Sequence, residues 1–197
     1  MRTAFLLLIA CNYDPTPAAG VADGPVIPPD TFDVASQCPT TYTLVLSGEK
    51  SRYRLLEAGA RFWEHSDDCN DDLVDATHLA ALDTLAEVDQ MELAINNAGS
   101  INSNKAWLGA VQPRDQGAPI DGWLSVTGGV LITAWAGNEP NDGGGNEDNG
   151  ENFAGIERDR DGVVDFPSDD DQGAVCECDG KPPDAAALAA IDANRDD

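Results

Sequence analysis

The sequence predicts a single α+β domain, on three observations. Two helix signals come first. Short strands and turns follow, three of them built around a tryptophan beside a glycine. An acidic, glycine-rich stretch then leads into a last strand-like run that carries two cysteines. With 197 residues the chain is long enough for one domain with a buried core and flanking segments.

Tyr42-Thr43-Leu44-Val45-Leu46 has strand-like composition. From Leu55 to about Cys69, Leu55, Phe62 and Trp63 recur at helix-compatible spacing. Thr84-Leu85-Ala86-Glu87 reads as a capping box, in which the hydroxyl caps a free N–H and the carboxylate reaches back to the N-cap N–H. Leu85, Val88, Met91 and Ile95 then form one apolar stripe, and Gly99 is the expected stop. Trp107-Leu108-Gly109, Gly122-Trp123-Leu124 and Trp135-Ala136-Gly137 follow, their rings read as core and strand packing. Gly143 to Gln172 has little regular periodicity, and a loop of that length in a compact domain is either functional or disordered.

The flanks differ in composition from this centre. Residues 1–10 place one arginine before a short apolar run, which fits an export signal and is too short to span a bilayer. Leu8-Ile9-Ala10-Cys11 resembles the lipobox of bacterial lipoproteins. The resemblance implies cleavage before Cys11 and acylation of its thiol. That would anchor the chain to a lipid bilayer of a bacterial cell envelope, outside the cytoplasm. An ordinary signal peptide with an incidental cysteine is the alternative. Residues 11–36, with Pro15, Pro17, Pro25, Pro28 and Pro29, read as a semi-extended tether. The domain is expected over 37–179. Residues 180–197, broken by Gly180, Pro182 and Pro183, read as a flexible or short-helical tail, with a helix over Asp184 to Asn194 that nothing requires to pack.

A net charge of −25 argues against nucleic-acid partners, because a phosphate backbone is repelled, and against attraction to an anionic lipid surface. It leaves a solubilising surface, or carboxylates gathered around a hard cation. The five cysteines are odd in number; setting Cys11 aside leaves Cys38, Cys69, Cys176 and Cys178. Four cysteines in an exported chain read as two disulfides, with three pairings open. Cys176 and Cys178 are expected on opposite faces of an extended segment, each pairing elsewhere; a Cys-x-Cys metal site is the alternative, without a histidine or second cysteine pair to complete it.

Taken in order, Cys69 at the end of the first helix, Trp107-Leu108-Gly109, Glu139-Pro140-Asn141, the acidic loop and Val175-Cys176-Glu177 resemble the C-type lectin-like domain, over roughly Cys38 to Asp179. The resemblance implies a double-loop α+β fold: two helices flank small antiparallel sheets, and a long irregular loop carries a Ca²⁺ and sugar site. It implies a Cys69–Cys176 disulfide. The partner of a Cys38-like cysteine in the family lies around Ser51 to Tyr53, where this chain has none; because the family brings its N- and C-terminal strands together, the resemblance implies Cys38 with Cys178 as the second bridge.

The resemblance also implies Glu139, Asn141, Glu147 and Asp165 as shared ligands of Ca²⁺ and carbohydrate, with Pro140 cis. Ca²⁺ takes six to eight oxygens, and these side chains supply carboxylates and an amide. In the family two neighbouring sugar hydroxyls coordinate the ion and hydrogen-bond to its ligands. The order Glu-Pro-Asn implies mannose-, glucose- or fucose-type sugars. Here the chain departs from the pattern. Val163-Val164-Asp165 stands where the family has Trp-Asn-Asp, so Val164 removes one amide ligand, at a cost of about 1–3 kcal/mol of sugar binding. Asp159 to Asp165 also resembles the calcium loops of EF-hand-like and thrombospondin type 3 repeats, without their full length or a terminal bidentate Glu. Asp159 and Asp161 are read as a solvated turn, with Glu151 and Asp148 as exposed extras.

No catalysis is expected. His78 lies between apolar stretches and reads as packed; neither it nor His65 has a nucleophile motif nearby. No carboxylate pair sits in a predicted apolar pocket that would raise one pKa. The expected function is Ca²⁺-dependent carbohydrate binding by a surface lipoprotein, its partner a glycan or a surface-protein ligand. The alternatives are a calcium-independent scaffold for protein ligands and a structural envelope protein whose loop Ca²⁺ stabilises.

Overall fold

The computed structural model describes residues 32–99, 101–114, 116–129, 131, 134–143 and 150–195. The signal, the lipobox with Cys11, most of the tether, Glu147 and Asp148 lie outside the described residues.

Gln172–Cys178 forms the strand at the hub of the sheet, β7, and all seven of its residues are buried. A strand buried on both faces reads as a near-continuous apolar run, as Gly173-Ala174-Val175-Cys176 does. It pairs antiparallel with β1 (Arg52–Ala60) and β2 (Thr77–Leu79), and parallel with β3 (Lys105–Val111). Beyond β3 come β4 (Leu124–Ser125), and β5 (Phe153–Glu157) with β6 (Val163–Phe166) on its outer side. Among the described residues there are four α-helices: α1 (Val34–Gln37), α2 (Phe62–Asp72), α3 (Leu85–Asn97) and α4 (Ala185–Ala193). The class is α+β, as expected.

Two apolar layers sandwich the sheet. One gathers Phe62, Trp107, Phe153 and Phe166, with α2 and α4 above them. Phe62 and Phe153 stack at 4.2 Å, and Trp107 meets Phe62, Phe153 and Phe166 edge-on. The other gathers Tyr53, Val88, Met91, Ile95 and Val175 under α3. Trp107 is fully buried, and its indole N–H donates to Ala60 O at 3.0 Å. Trp123 and Trp135 are half-buried and tilt against each other at 4.8 Å.

Cys69 bonds Cys176 and Cys38 bonds Cys178, closing separations of 107 and 140 residues. Cys176 and Cys178 share one face of β7 rather than opposite faces, because strand residues two apart point the same way.

Several expectations change. Leu55 belongs to β1, not to the first helix. Arg52–Ala60 finds a ladder on β7, so helix begins only at Phe62, where Glu64 Oε2 accepts from Arg61 N. Tyr42 to Leu46 makes a single bridge, Leu44 to Tyr53, and no strand. Leu85, at the first turn of α3, is 63% exposed and outside the stripe; Val88, Met91 and Ile95 are buried. The capping box is displaced by one residue: Thr84 accepts from Glu87 N, while the Glu87 carboxylate reaches Asp83 N at 2.7 Å. The stretch from Gly143 to Gln172 holds the β5–β6 pair instead of continuous loop. Finally, the C-terminal segment is no free tail. Ala187, Ala190 and Ile191 of α4 are buried, and Asn194 Nδ2 donates to Gln112 O at 3.0 Å.

Candidate functional site

Strand β6 organises the loop region. Ala136 N donates to Val163 O and Val163 N to Ala134 O, both at 2.8 Å, which lays residues 134–136 alongside the strand. A turn through Asn138 then brings Glu139-Pro140-Asn141 over its end, with the Glu139–Pro140 peptide cis.

Asp165, 1% exposed near the end of β6, receives this segment. Its carboxylate accepts from Asn141 N at 3.2 and 3.1 Å and from Asp142 N at 2.9 Å. Asn141 Nδ2 donates to Glu139 Oε2. Asp142 Oδ1 accepts from Glu151 N at 3.0 Å, and Glu151 Oε2 accepts from Gly143 N at 2.6 Å. A Cβ at Gly143 would sit 2.9 Å from Glu151 Oε2 and 3.0 Å from Asn141 Oδ1, so any larger residue there would push these two side-chain ends aside. Glu139, Asn141 and Asp165 thus meet through hydrogen bonds, and Asp142 and Glu151 adjoin them through bonds to backbone N–H groups. Glu151, expected as an exposed extra, is half-buried and part of the cluster; Glu147 lies outside the described residues.

The electrostatics are those of crowded carboxylates. Burial pushes the Asp165 carboxyl up to about 6, the Asp142 N–H holds it down, and a hydrogen bond with the Glu139 carboxyl raises it. Burial raises Glu151 as well; the Gly143 N–H opposes this, and the charges of Glu139, Asp142 and Asp170 add to it. A carboxylate pair with one raised pKa therefore exists, contrary to the sequence expectation. The reason is long-range: β6 buries Asp165, and the 134–141 segment brings Glu139 against it.

Arg160 is the cation the structure places here. Its Nη2 donates to Glu139 Oε1 at 2.5 Å, and Nη1 lies 3.5 Å from Glu157. Sequence reasoning missed Arg160 because its contact spans 21 residues with no periodic signal. Val164 is 3% exposed and packs in the aromatic layer, where it offers no ligand. Asp159 and Asp161 are exposed on a turn docked to α3, through Asp159 N to Asn96 Oδ1 at 3.0 Å and Gly162 N to Glu92 Oε1. The solvated-turn reading describes their placement.

The donors present in this cluster are carboxylate and amide oxygens, the set a hard cation such as Ca²⁺ takes, and their mutual repulsion is what a divalent ion relieves. In the described geometry Asn141 turns Nδ2 toward Glu139, so its oxygen reaches a shared ion only after the amide rotates about χ2.

No family model matches the sequence, and no curated protein sequence matches it. Solved structures do. The C-type lectin CEL-I from Cucumaria echinata aligns with a TM-score of 0.56 at 18% identity, over 72% of this chain and 96% of that one. The cow C-type carbohydrate-recognition domain of CD23, in the presence of GlcNAc2Man3 oligosaccharide, aligns at 0.52 and 20%, over 71% and 94%. The C-type lectin domain of murine dendritic cell inhibitory receptor 2, in complex with N-glycan, aligns at 0.53 and 22%, over 71% and 97%. The chain has the C-type lectin-like fold.

Proposed function

We propose that this chain is a non-catalytic, Ca²⁺-dependent glycan-binding protein, held at a bacterial cell surface by lipid on Cys11. The observation that carries the reading is the meeting of Glu139, Asn141 and Asp165 through hydrogen bonds in a C-type lectin-like fold. Those three would hold Ca²⁺, with Glu147 added from the neighbouring segment. Bound there, Ca²⁺ supplies a coordination point for two neighbouring sugar hydroxyls. The carboxylates of Glu139 and Asp165 accept hydrogen bonds from those hydroxyls, and the Asn141 amide donates one. Two fold neighbours crystallised with oligosaccharide support the ligand class. The Glu-Pro-Asn order favours mannose-, glucose- or fucose-type sugars.

Buried Val164 and the Arg160–Glu139 ion pair favour a second reading: a scaffold that binds protein ligands without calcium. The experiment is retention of the full chain on mannose resin in Ca²⁺, with elution by chelator. Retention lost in Glu139→Ala supports the site. Retention unaffected by Glu139→Ala counts against it. Ca²⁺ uptake without retention selects a loop-stabilising ion, and no uptake selects the scaffold. Palmitate incorporation that disappears in Cys11→Ala tests the anchor.

A further inference from the structure

A second cluster lies away from the loop, on the face of β7 under α3. The β2–β7 register places His78 opposite Glu177, and Asp179 follows two residues on, on the same face. One nitrogen or oxygen from each of His78, Glu177 and Asp179 lies within 4.8 Å of the others. His78 is 0% and Glu177 3% exposed.

The hydrogen bonds define what this cluster needs. His78 Nδ1 donates to Leu79 O at 2.8 Å, so a neutral ring carries its proton there. Its Nε2 lone pair then points at Asp179 Oδ1, 3.0 Å away. Two acceptors face each other at that distance only with a cation between them, either a proton or a metal. The remaining groups are oriented as metal ligands are. Glu177 Oε2 accepts from Ala81 N at 2.9 Å, and Asp179 Oδ2 is held by Lys181 Nζ at 2.8 Å. Each candidate ligand thus has its own outer partner, which fixes ring and carboxylate orientation before any ion arrives.

We propose that His78, Glu177 and Asp179 form a divalent-metal site separate from the loop. One imidazole nitrogen with two carboxylates suits a metal of intermediate softness, such as Zn²⁺ or Co²⁺, rather than the all-oxygen chemistry of Ca²⁺. Bonds of about 2.0–2.2 Å set ligand atoms about 3.3–4.2 Å apart, so modest side-chain rotation closes the observed spread. The ion would clamp β2 to β7 and to the segment that leads into α4. This inference does not rest on the glycan reading.

The test is Co²⁺ titration of the full chain carrying Cys11→Ser, which removes the one thiol outside the two disulfides, in excess Ca²⁺. The expected result is one equivalent of bound Co²⁺ with visible bands of nitrogen and oxygen coordination, displaced by Zn²⁺. Asp179→Asn is expected to weaken it by roughly a hundredfold, and Glu139→Gln to leave it unchanged. The chain has two histidines, so the ring-nitrogen NMR signals of the unsubstituted protein give a readout that survives if a variant misfolds. Zn²⁺ should move the His78 signals and spare those of His65. No uptake, uptake insensitive to Asp179→Asn, or His78 signals unmoved by Zn²⁺ would each overturn the proposal, leaving a proton as the bridging cation.

Discussion

The backbone N–H of Asn141 donates to both carboxylate oxygens of Asp165, across 24 residues of chain. Asp142 N adds a third bond to the same group. One strand carboxylate therefore holds the start of the long loop. Asp165→Ala leaves these N–H groups without their acceptor, each at about 1–3 kcal/mol when buried. The expected loss in urea denaturation is about 2–4 kcal/mol. Asp165→Asn keeps the volume and should cost less, while still abolishing cation binding.

Arg160 and a cation compete for Glu139. The guanidinium occupies Glu139 Oε1 from 2.5 Å, and Ca²⁺ binding must displace it. Arg160→Gln is expected to tighten Ca²⁺ binding by about tenfold, equivalent to about 1.4 kcal/mol. An unchanged or weaker dissociation constant would show that the ion pair lies outside the binding equilibrium.

The Cys69–Cys176 disulfide ties α2 to the hub strand across 107 residues. A loop of that length corresponds to about 4.7 kcal/mol of restricted unfolded-state entropy. The double variant Cys69→Ala, Cys176→Ala should lower stability by about 3–5 kcal/mol in urea denaturation, with a steeper slope because the unfolded chain, freed of the crosslink, exposes more surface.

Stability should fall as pH rises. Burial raises the carboxyls of Asp165 to about 6 and of Glu177 to about 7, and raises Glu87 against its hydrogen bonds from Tyr53 and Asp83 N. His78 shifts the same way: burial lowers it, and the Asp179 hydrogen bond with the charges of Glu177 and Asp179 outweighs that. A group raised on folding holds its proton more tightly in the native state. Its stabilisation is complete below the unfolded value and is lost as pH climbs through the folded one. Asp179 is lowered, since the His78 hydrogen bond and charge outweigh its burial, and acts only below the usual carboxylate range. In chelator, the urea midpoint should decline from about pH 4.5 to about pH 8, and Glu177→Gln should flatten the upper part of that decline. A midpoint that rises with pH would contradict the assignment.

Local chemistry made part of this legible in the sequence. Thr84 marks the start of α3 because a cap acts within one turn, and the Glu139-Pro140-Asn141 triplet marks the segment that lies over Asp165 because its residues are neighbours. Leu55 misled, since its spacing to Phe62 suits a helix while β7, more than a hundred residues away, draws it into a ladder. The packing of α4 was hidden for the same reason: Ala187 and Ile191 find their partners in residues far earlier in the chain. Arg160 on Glu139 joins the β5–β6 turn to the 134–141 segment, and His78 opposite Glu177 follows from strand register; no short window of sequence contains either.

Calorimetric titration of the full chain with Ca²⁺, beside Asp165→Asn, bears most directly on the central claim. One site whose heat disappears in the variant is the expected result. No heat in the unsubstituted chain, or equal heat in both, would mean that the cluster of Glu139, Asn141 and Asp165 does not take the ion.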